Sequence, residues 1–298
     1  MHVTVIRLAA LLLCGAALPS LASEISYVNQ FRNLAYTQTD NVTLSAQGAF
    51  FSASAVVSGL ANATYDSGTM TIGDPNTGPS YALTSSDGGH SFGMQTPSLP
   101  SQAAMDTQFP LASHYTYLLT GGPNSTSASM DVGANNYAAA APMLTGNSFS
   151  ALQGMDTSQP LSLAFNPFNA VPGAADEFIF LSFYNYGTAT SLNPLGFAPR
   201  TTTGLTLGAG LLAPGSPYAF ELIYSVRVSP PGDGADFAPQ IGFDLRTSGL
   251  FTTAVPEPAT FALWLLGLVA LAGSGQVRKG RRVSSQARQV AARSPRSR

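Results

Sequence analysis

Cysteine is almost absent from this chain of 298 residues, which contains a single one, Cys14. Cys14 lies inside the apolar stretch Leu8–Leu18, which has the composition of a secretory leader. Removal of that leader leaves an exported protein without any thiol. Disulfide bonds, thiolate metal ligands and cysteine nucleophiles are therefore excluded from the exported part, although its location would permit disulfides.

Charged residues are also scarce, at 9% of the chain, and the few cations are unevenly placed. Residues 23–255 hold 14 Asp and Glu against four Arg, a net charge of −10, which the basic C-terminus hides in the overall value of −2. Contacts with phosphate groups need clustered cations. We therefore expect no binding to nucleic acid, and no electrostatic adhesion of this region to anionic lipid.

The sequence has few motifs that indicate catalysis or metal binding. The sequence contains no His-Glu-x-x-His, Gly-x-Gly-x-x-Gly or phosphate-loop pattern. Two histidines, His90 and His114, remain outside the leader, and neither has another His or Cys close by. We predict no catalytic residue, no metal site and no cofactor, and hence a protein that is not an enzyme.

The clearest positive signal is the alternation of apolar and polar residues that is typical of half-buried strands. In Tyr218–Val228 every second residue is large and apolar, and Ile241–Leu245 repeats the pattern after a loop rich in Pro, Gly and Asp. The two runs predict an antiparallel pair with one face in the core. The charged residues between the apolar ones are expected on the solvent face: Glu221, Arg227, Asp244 and Arg246. Two registers remain open, with Glu221 opposite Arg246 or Arg227 opposite Asp244.

Shorter runs of the same kind recur along the chain. They are Thr43–Ala46, Phe50–Val57, Thr69–Ile72, Tyr81–Thr84, Tyr115–Thr120, Leu161–Phe165 and Leu205–Leu207. Phe178–Tyr186 is apolar on both faces, which predicts a central strand covered on both sides. About ten short strands separated by turn signals predict an all-β fold, a β-sandwich or jelly roll. Helical character is confined to Asn135–Ala141, and Gln95–Pro110, with its three prolines, is expected to be a long loop or a domain boundary.

Three weaker patterns bear on possible ligands. Asp233 and Asp236 lie in a Gly-rich loop and have the oxygen donors that calcium requires, but a simple turn explains them better. Tyr184 and Tyr186 have side chains that can stack on sugars, although core packing is the simpler explanation. An ice-binding surface would need a regular array of threonines, and the chain offers only the isolated Thr69-Met70-Thr71.

The N-terminus has the organisation of a secretory signal peptide. Arg7 precedes the apolar stretch, Pro19 ends it, and Ser20-Leu21-Ala22 provides a small-x-small cleavage site. We predict cleavage after Ala22, so that residues 1–22 are absent from the exported protein.

The C-terminus carries three features in order. Val255-Pro256-Glu257-Pro258 comes first, and its prolines end any preceding strand because each lacks an amide donor. Ala259–Val277 follows, 19 residues that would extend about 28 Å as a helix, enough to cross a hydrocarbon core. The third feature is a basic cluster of Arg278, Lys279, Arg281 and Arg282. This cluster predicts that the C-terminus stays cytoplasmic while the bulk of the chain is exported.

This order of motif, apolar span and basic cluster resembles the PEP-CTERM sorting signal of Gram-negative bacteria, over residues 255–282. The resemblance implies that an exosortase, a membrane-embedded cysteine protease, recognises Pro256-Glu257-Pro258 and removes the segment beyond it. It also implies a transient inner-membrane intermediate and a final location at the cell surface or outside the cell. Signals of this kind usually stop soon after the basic cluster, whereas residues 283–298 continue as a polar, Arg-rich extension.

These features predict a signal peptide (1–22), a β-sandwich ectodomain (23–254), a sorting tag (255–282) and a disordered basic extension (283–298). The resemblance implies a structural or adhesive role, linked to exopolysaccharide, in the cell envelope or extracellular matrix. Three other roles remain open: a carbohydrate- or calcium-binding module, a glycan-active enzyme, and an ice-binding protein. The fourteen carboxylates of residues 23–255 are too scattered in sequence to define a glycosidase pair.

We expect the mature protein to lack both termini, with one cut after Ala22 and the other near Pro256-Glu257-Pro258. The intact mass of the secreted protein, measured by mass spectrometry, tests both cuts at once. Recovery of a secreted form that keeps Arg278–Arg298 would argue against sorting and for a permanent membrane anchor.

Overall fold

The computed structural model describes residues 25–57, 64–122, 125–235, 238–255 and 266–269. The signal peptide, most of the predicted span Ala259–Val277, the basic cluster and the C-terminal extension lie outside these residues. Residues 266–269 are helical. Among the described residues, no helix is both long enough and apolar enough to cross a membrane.

Strands dominate the described part of the chain. They are β1 Ile25–Gln38, β2 Leu44–Val57, β3 Ser67–Ile72, β4 Ser80–Ser85, β5 Ser91–Gln95, β6 Ser113–Thr120, β7 Thr126–Val132, β8 Leu161–Ala164, β9 Asp176–Asn185, β10 Thr190–Leu192, β11 Ala198–Pro199, β12 Gly204–Leu207, β13 Pro217–Val228, β14 Gly232–Asp233 and β15 Gln240–Thr252. The helices are α1 Gln102–Gln108 and α2 Ser148–Leu152. The predicted all-β fold is thus confirmed.

One hydrogen-bonded path connects most of the strands, in the order β10-β9-β13-β15-β1-β2-β5-β4-β3-β6-β7-β14. Strand β4 is the corner of this path, since its first residues pair with β3 and its last two pair with β5. We call the strands from β10 to β5 the front sheet and those from β4 to β14 the back sheet. The back sheet lies over the front sheet, where the Tyr117 hydroxyl of β6 is 3.4 Å from the carbonyl oxygen of Asn29 in β1. The two sheets therefore form a sandwich.

The inner face of the front sheet is covered in two regions. The back sheet and α1 cover β1 and β2, where the rings of Phe51 and Phe109 stack with centroids 4.0 Å apart. The segment after β8 covers β13, where Phe168 stacks on Tyr224 at 4.8 Å. All four of these aromatic side chains are buried. The large apolar side chains thus meet on the inner side of the front sheet, and this core does not cover the outer face.

The predicted antiparallel pairing of β13 with β15 is present, but its register is neither of the two expected. Ser225 lies opposite Asp244, and Arg246 lies opposite Ile223. Arg227 and Asp244 are nevertheless joined at 2.7 Å, and Arg246 and Glu221 at 3.2 Å. Both ion pairs form diagonally, between residues two positions out of register, a separation that long side chains can reach.

The expectation that all four of these charged side chains face solvent is wrong. The side chain of Asp244 is 4% exposed and that of Arg227 is 16% exposed. The reason is that β13 and β15 are interior strands of the front sheet, with β9 on one side and β1 on the other. Side chains on the outer face of the pair are therefore packed laterally by those of the neighbouring strands.

The expectation that β9 is covered on both faces is also wrong. Ile179, Leu181 and Phe183 are buried on its inner face, whereas Tyr184 on the outer face is 39% exposed. Strand β9 lies next to the edge of the front sheet and pairs only with β13 and the short β10 and β11. Its second apolar face is thus a surface feature, not a second core.

Two further elements differ from the sequence-based expectation. Residues 135–141 are not helical, and α1 forms instead within Gln95–Pro110. Helix α1 begins after Ser101, whose hydroxyl oxygen accepts a hydrogen bond from the Ala104 amide at 3.2 Å. A serine cap and the short apolar turn after it were the signal for this helix.

Arg32 is a charged side chain in the middle of the core, where it is fully buried. Its Nη2 donates to Asp106 Oδ1 at 2.5 Å and to the Phe109 carbonyl oxygen at 2.8 Å. Burial raises the pKa of the nearby Tyr115 phenol to about 12. The ion-pair partner of Arg32 is Asp106. Because Asp106 lies on α1, this ion pair holds the helix against β1.

Asp106→Ala should lower the free energy of unfolding by about 3 kcal/mol, because it leaves a buried guanidinium without its counter-charge. Urea unfolding followed by circular dichroism measures the loss. Asp131→Ala is a matched control, since its partner His114 and Asp131 itself are well exposed, and such pairs contribute under about 1 kcal/mol. Equal losses in the two variants would contradict the central role of Arg32.

Candidate functional site

The outer face of the front sheet carries a groove of about 450 Å³, a volume typical of ligand sites. Strand register brings its lining residues into rows that run across the strands, because alternate residues share a face. One row is Phe178, Ser225, Asp244, Asn33 and Phe50. The next row is Arg227, Gly242, Phe31, Ser52 and Gln95. The groove therefore runs perpendicular to the strands.

Aromatic rings form the wall of the groove on the β9 side. Phe197, between β10 and β11, is 76% exposed, which is unusual for a phenylalanine. Its ring meets Phe178 edge-on at 4.9 Å and lies 5.4 Å from the ring of Phe180. The three rings present an apolar surface to solvent at the edge of the groove.

Charged side chains form a connected network on the groove floor. Asp244 accepts hydrogen bonds from Ser225 Oγ at 2.6 Å and from Arg227 Nη1 at 2.7 Å. Arg246 bridges the two acidic residues, with Nη1 3.2 Å from Glu221 and Nη2 3.9 Å from Asp244. Two guanidinium groups balance two carboxylates, so the floor is rich in hydrogen-bonding groups but has no net charge.

Arg227 is held between two aromatic rings. Its Cζ lies 4.7 Å from the ring centroid of Phe31 and 5.0 Å from that of Phe178, within the range of cation–π attraction. Gly242 makes this arrangement possible, because a Cβ atom there would collide with Arg227 Nη1 and Phe31 Cδ1. The guanidinium is thus fixed before any ligand arrives, which lowers the entropy cost of binding.

Two polar atoms at the groove lack partners. Asn33 is 1% exposed, and its Oδ1 has no hydrogen-bond partner among the described residues. The Nε atom of Arg246 is likewise buried and has no hydrogen-bond partner among the described residues. A buried polar atom without a partner costs free energy. Both atoms are out of contact with solvent, so they are not offered to a ligand in the groove.

The groove continues over β2, β5 and β4 as a second hollow of about 450 Å³. The two hollows share Phe31, Ser52 and Gln95. The rest of the second lining is dominated by small polar side chains: Asn29, Ser54, Thr84, Ser85 and Ser86. An elongated ligand would therefore pass from an aromatic and charged region to one rich in hydroxyl groups.

Tyr184 and Tyr186 are surface residues, so the expectation that core packing explains them is wrong. They are 39% and 57% exposed, and their rings meet edge-on at 5.1 Å. Both lie at the end of β9, further along the same sheet from the groove. The reason is again that β9 has only one covered face.

For the loop that holds Asp233 and Asp236, the sequence favours a simple turn over a calcium site. Asp233 accepts a hydrogen bond from Ser129 Oγ at 2.6 Å, and Asp236 lies outside those residues. His114 Nδ1 is 2.7 Å from Asp131 Oδ1, an exposed side-chain pair across two strands. Where the structure is described, no three His, Cys, Asp or Glu residues gather as metal ligands do.

Gly89–Gly93 matches the Gly-x-Ser-x-Gly pattern of serine hydrolases. In those enzymes the serine lies on a sharp turn from a strand to a helix. Here the pentapeptide leads from a turn into strand β5, and Ser91 donates from Oγ to Asp87 Oδ2 at 2.7 Å. Asp87 Oδ1 also accepts from the Ser91 amide at 2.6 Å. The segment is a hairpin turn closed by an aspartate, not a nucleophile elbow.

Val255 is the one predicted processing residue that the structure describes, and it is 73% exposed. Ala22, Pro256-Glu257-Pro258 and the basic cluster Arg278, Lys279, Arg281 and Arg282 lie outside the described residues. Their roles in cleavage and orientation stay predictions.

Two solved structures overlap loosely with this chain. A segment of two fibronectin type-III domains from chicken tenascin covers 74% of this chain and 97% of its own, with 13% identity and a TM-score of 0.24. The FN1–FN3 domains of chicken CNTN1 cover 74% of this chain and 65% of their own, with 8% identity and a TM-score of 0.25. Overlap this loose carries no argument about the groove. No curated protein matches the chain.

A family model gives a firmer result at the C-terminus. Residues 254–282 match the PEP-CTERM protein-sorting motif, which agrees with the resemblance drawn over 255–282. The match covers the sorting segment and does not classify the domain that holds the groove. The chain therefore carries a PEP-CTERM protein-sorting motif directly after an all-β domain, and this motif indicates export and sorting at the cell envelope by an exosortase.

Proposed function

We propose that the protein is sorted to the cell surface or the extracellular matrix and there binds exopolysaccharide through the outer groove, in a structural or adhesive role. The observation that supports this best is the composition of one open sheet face. Exposed aromatic rings and fixed charged groups lie side by side in a channel that crosses the strands.

A polysaccharide needs this combination of surfaces. Each pyranose ring has an apolar face of C–H groups and a rim of hydroxyl groups that both donate and accept hydrogen bonds. The rings of Phe197 and Phe180 offer a surface for the apolar face. Glu221 and the guanidinium of Arg246, whose side chains are 38% and 32% exposed, offer partners for the hydroxyls. The second hollow extends the hydrogen-bonding surface for further sugar units.

Binding is favoured over hydrolysis by the state of the two carboxylates. A glycosidase needs one carboxyl group that donates a proton to the leaving oxygen and a second that acts as a base or nucleophile. Glu221 is ion-paired with Arg246, and Asp244 is ion-paired with Arg227 and bonded to Ser225. These bonds hold the two carboxylates in fixed orientations, which suits them to binding a ligand. They leave neither carboxyl group free to act as a proton donor.

Phe197→Ala should weaken binding to polysaccharide about tenfold, or 1.4 kcal/mol, because it removes the most exposed ring of the groove. Affinity electrophoresis of the processed protein measures this, with hydroxyethylcellulose, galactomannan, alginate and the exopolysaccharide of the producing cells as probes. Leu118→Ala is the matched control, since Leu118 is a 40% exposed apolar residue of the back sheet.

The outcomes separate the proposed roles. Retarded migration that Phe197→Ala reduces and Leu118→Ala leaves unchanged supports glycan binding at the groove. Unretarded migration in all four polysaccharides would overturn the proposal. Release of new reducing ends, lost in Glu221→Gln, would show a glycan-active enzyme instead.

Gly242→Ala should abolish most of the binding while the domain stays folded. A Cβ there would collide with Arg227 Nη1 and lie 2.7 Å from Phe31 Cδ1, so the guanidinium and the Phe31 ring must both shift, whereas no backbone atom is among its three nearest contacts. Gly133→Ala is the control, because a Cβ there meets no described atom within 4 Å. Unchanged affinity in Gly242→Ala, in the same electrophoresis assay, would remove Arg227 from the binding site.

A further inference from the structure

A second surface feature lies at the end of the front sheet from which the chain leaves the domain. The outer face there carries exposed apolar and aromatic side chains where β9 and β15 end and β13 begins. We call this set the end patch: Tyr184, Tyr186, Leu250 and Val255, which are 39%, 57%, 66% and 73% exposed. Ala219 pairs with both Tyr184 and Leu250, so these two side chains share one row.

Two residues of the end patch, Tyr186 and Leu250, line a hollow of about 270 Å³. Pro217 and the rings of Tyr218 and Phe251 also line it. No charged residue is among those that line it; Gln153 is its one amide side chain, and its Nε2 already donates to the Leu250 carbonyl oxygen at 2.8 Å. Asp156 lies close in sequence, but its Oδ1 accepts from the Ser158 amide at 2.9 Å.

The chain is fastened to the domain up to the last residue before the sorting motif. Thr253 is 2% exposed, and its Oγ1 donates to the Ala213 carbonyl oxygen at 2.7 Å. The Ala254 amide donates to the Met155 carbonyl oxygen at 2.8 Å, and the Ala254 carbonyl accepts from the Gly215 amide at 2.9 Å. The backbone before Val255 is therefore bound to the domain and cannot extend away from it.

The tether to the predicted span is therefore very short. Only Pro256-Glu257-Pro258 separate Val255 from Ala259, where the apolar segment begins. In an extended polyproline conformation three residues cover about 9 Å. The polar layer of a bilayer is about 5 to 7 Å thick on each side. The domain end that carries Val255 must then lie at the boundary of that layer while the tag is intact.

We infer that the end patch docks on the lipid interface of the membrane that holds the uncleaved tag. Tyrosine suits this interface, because its ring is apolar and its hydroxyl remains hydrated. The net negative domain gains nothing from anionic lipid, so docking depends on apolar contact and on the high effective concentration that a short tether provides. The partner is the headgroup boundary itself.

The far part of the groove remains accessible in this orientation. Ser225, on the groove floor, lies six residues along β13 from Ala219, the partner of Tyr184 and Leu250, about 20 Å at the rise of a strand. The near edge of the groove, at Glu221, is about 7 Å from Ala219. The inference rests on an inserted C-terminal tail and not on glycan binding. It can fail while the groove still binds polysaccharide, and the reverse also holds.

Site-specific fluorescence tests the docking on the full chain in phosphatidylcholine nanodiscs. Leu250→Cys, in a Cys14→Ser background, is labelled with a polarity-sensitive nitrobenzoxadiazole dye. We expect blue-shifted emission and quenching by lipids with a shallow nitroxide, at the same level when phosphatidylglycerol is added. Leu118→Cys is the matched control on the back sheet, and its label should stay in water.

A second variant separates docking from simple tethering. A flexible twelve-residue Gly-Ser insert between Val255 and Pro256 should leave the Leu250→Cys label quenched, because the patch still prefers the interface. A label that returns to water in this variant, or one in water from the start, would overturn the inference. A chain that does not co-purify with nanodiscs would refute the inserted tail and the docking together.

Discussion

The parallel pairing of β1 with β15 is the constraint on which the rest of the structure depends. The first and last strands of the domain lie side by side from Asn29–Gln240 to Thr37–Ser248. Parallel strands cannot be joined by a tight turn, so every other element is part of one long connection between them. The pair lies in the interior of the front sheet, with β2 on one side and β13 on the other. The positions of the core, of the groove and of the point where the chain leaves the domain all depend on this pair.

Adjacent residues of β1 show how the pair separates two kinds of chemistry. Arg32 points into the core, opposite Phe243 and Phe51, while Phe31 points outward into the groove. This inverts the common rule that aromatic side chains are buried and cations exposed. Arg32 keeps its place through Asp106, and two of its nitrogen atoms have no partner among the described residues. The bond from Arg32 to Asp106 holds the core in one register, and the same register aligns the residues of the groove.

The fold class and the β13–β15 pairing were predictable because a regular alternation of apolar and polar residues marks a half-buried strand. Strand β1 was not, since Gln30 and Arg32 occupy inward positions and break the pattern. The groove escaped prediction for a related reason. Its residues come from β9, β13, β15, β1, β2 and β5 and from the segment between β10 and β11, and only the fold brings them together. The apolar run Phe178–Tyr186 did contain a signal, because an excess of aromatic residues beyond what one core face needs indicates a second, exposed function.

The sorting motif and the groove impose compatible demands on the domain. A membrane protease needs its cleavage sequence at the bilayer, and the bonds of Thr253 and Ala254 deliver the chain there without slack. A polysaccharide chain needs an open surface away from the lipid. The rows of residues around Asp244 lie further along the strands, away from the point where the chain leaves the domain. Because both sites are on the same rigid sheet, anchoring one end orients the other. If the proposed docking and glycan binding both hold, cleavage frees the end patch without altering the groove, and a matrix ligand bound before release stays bound after it.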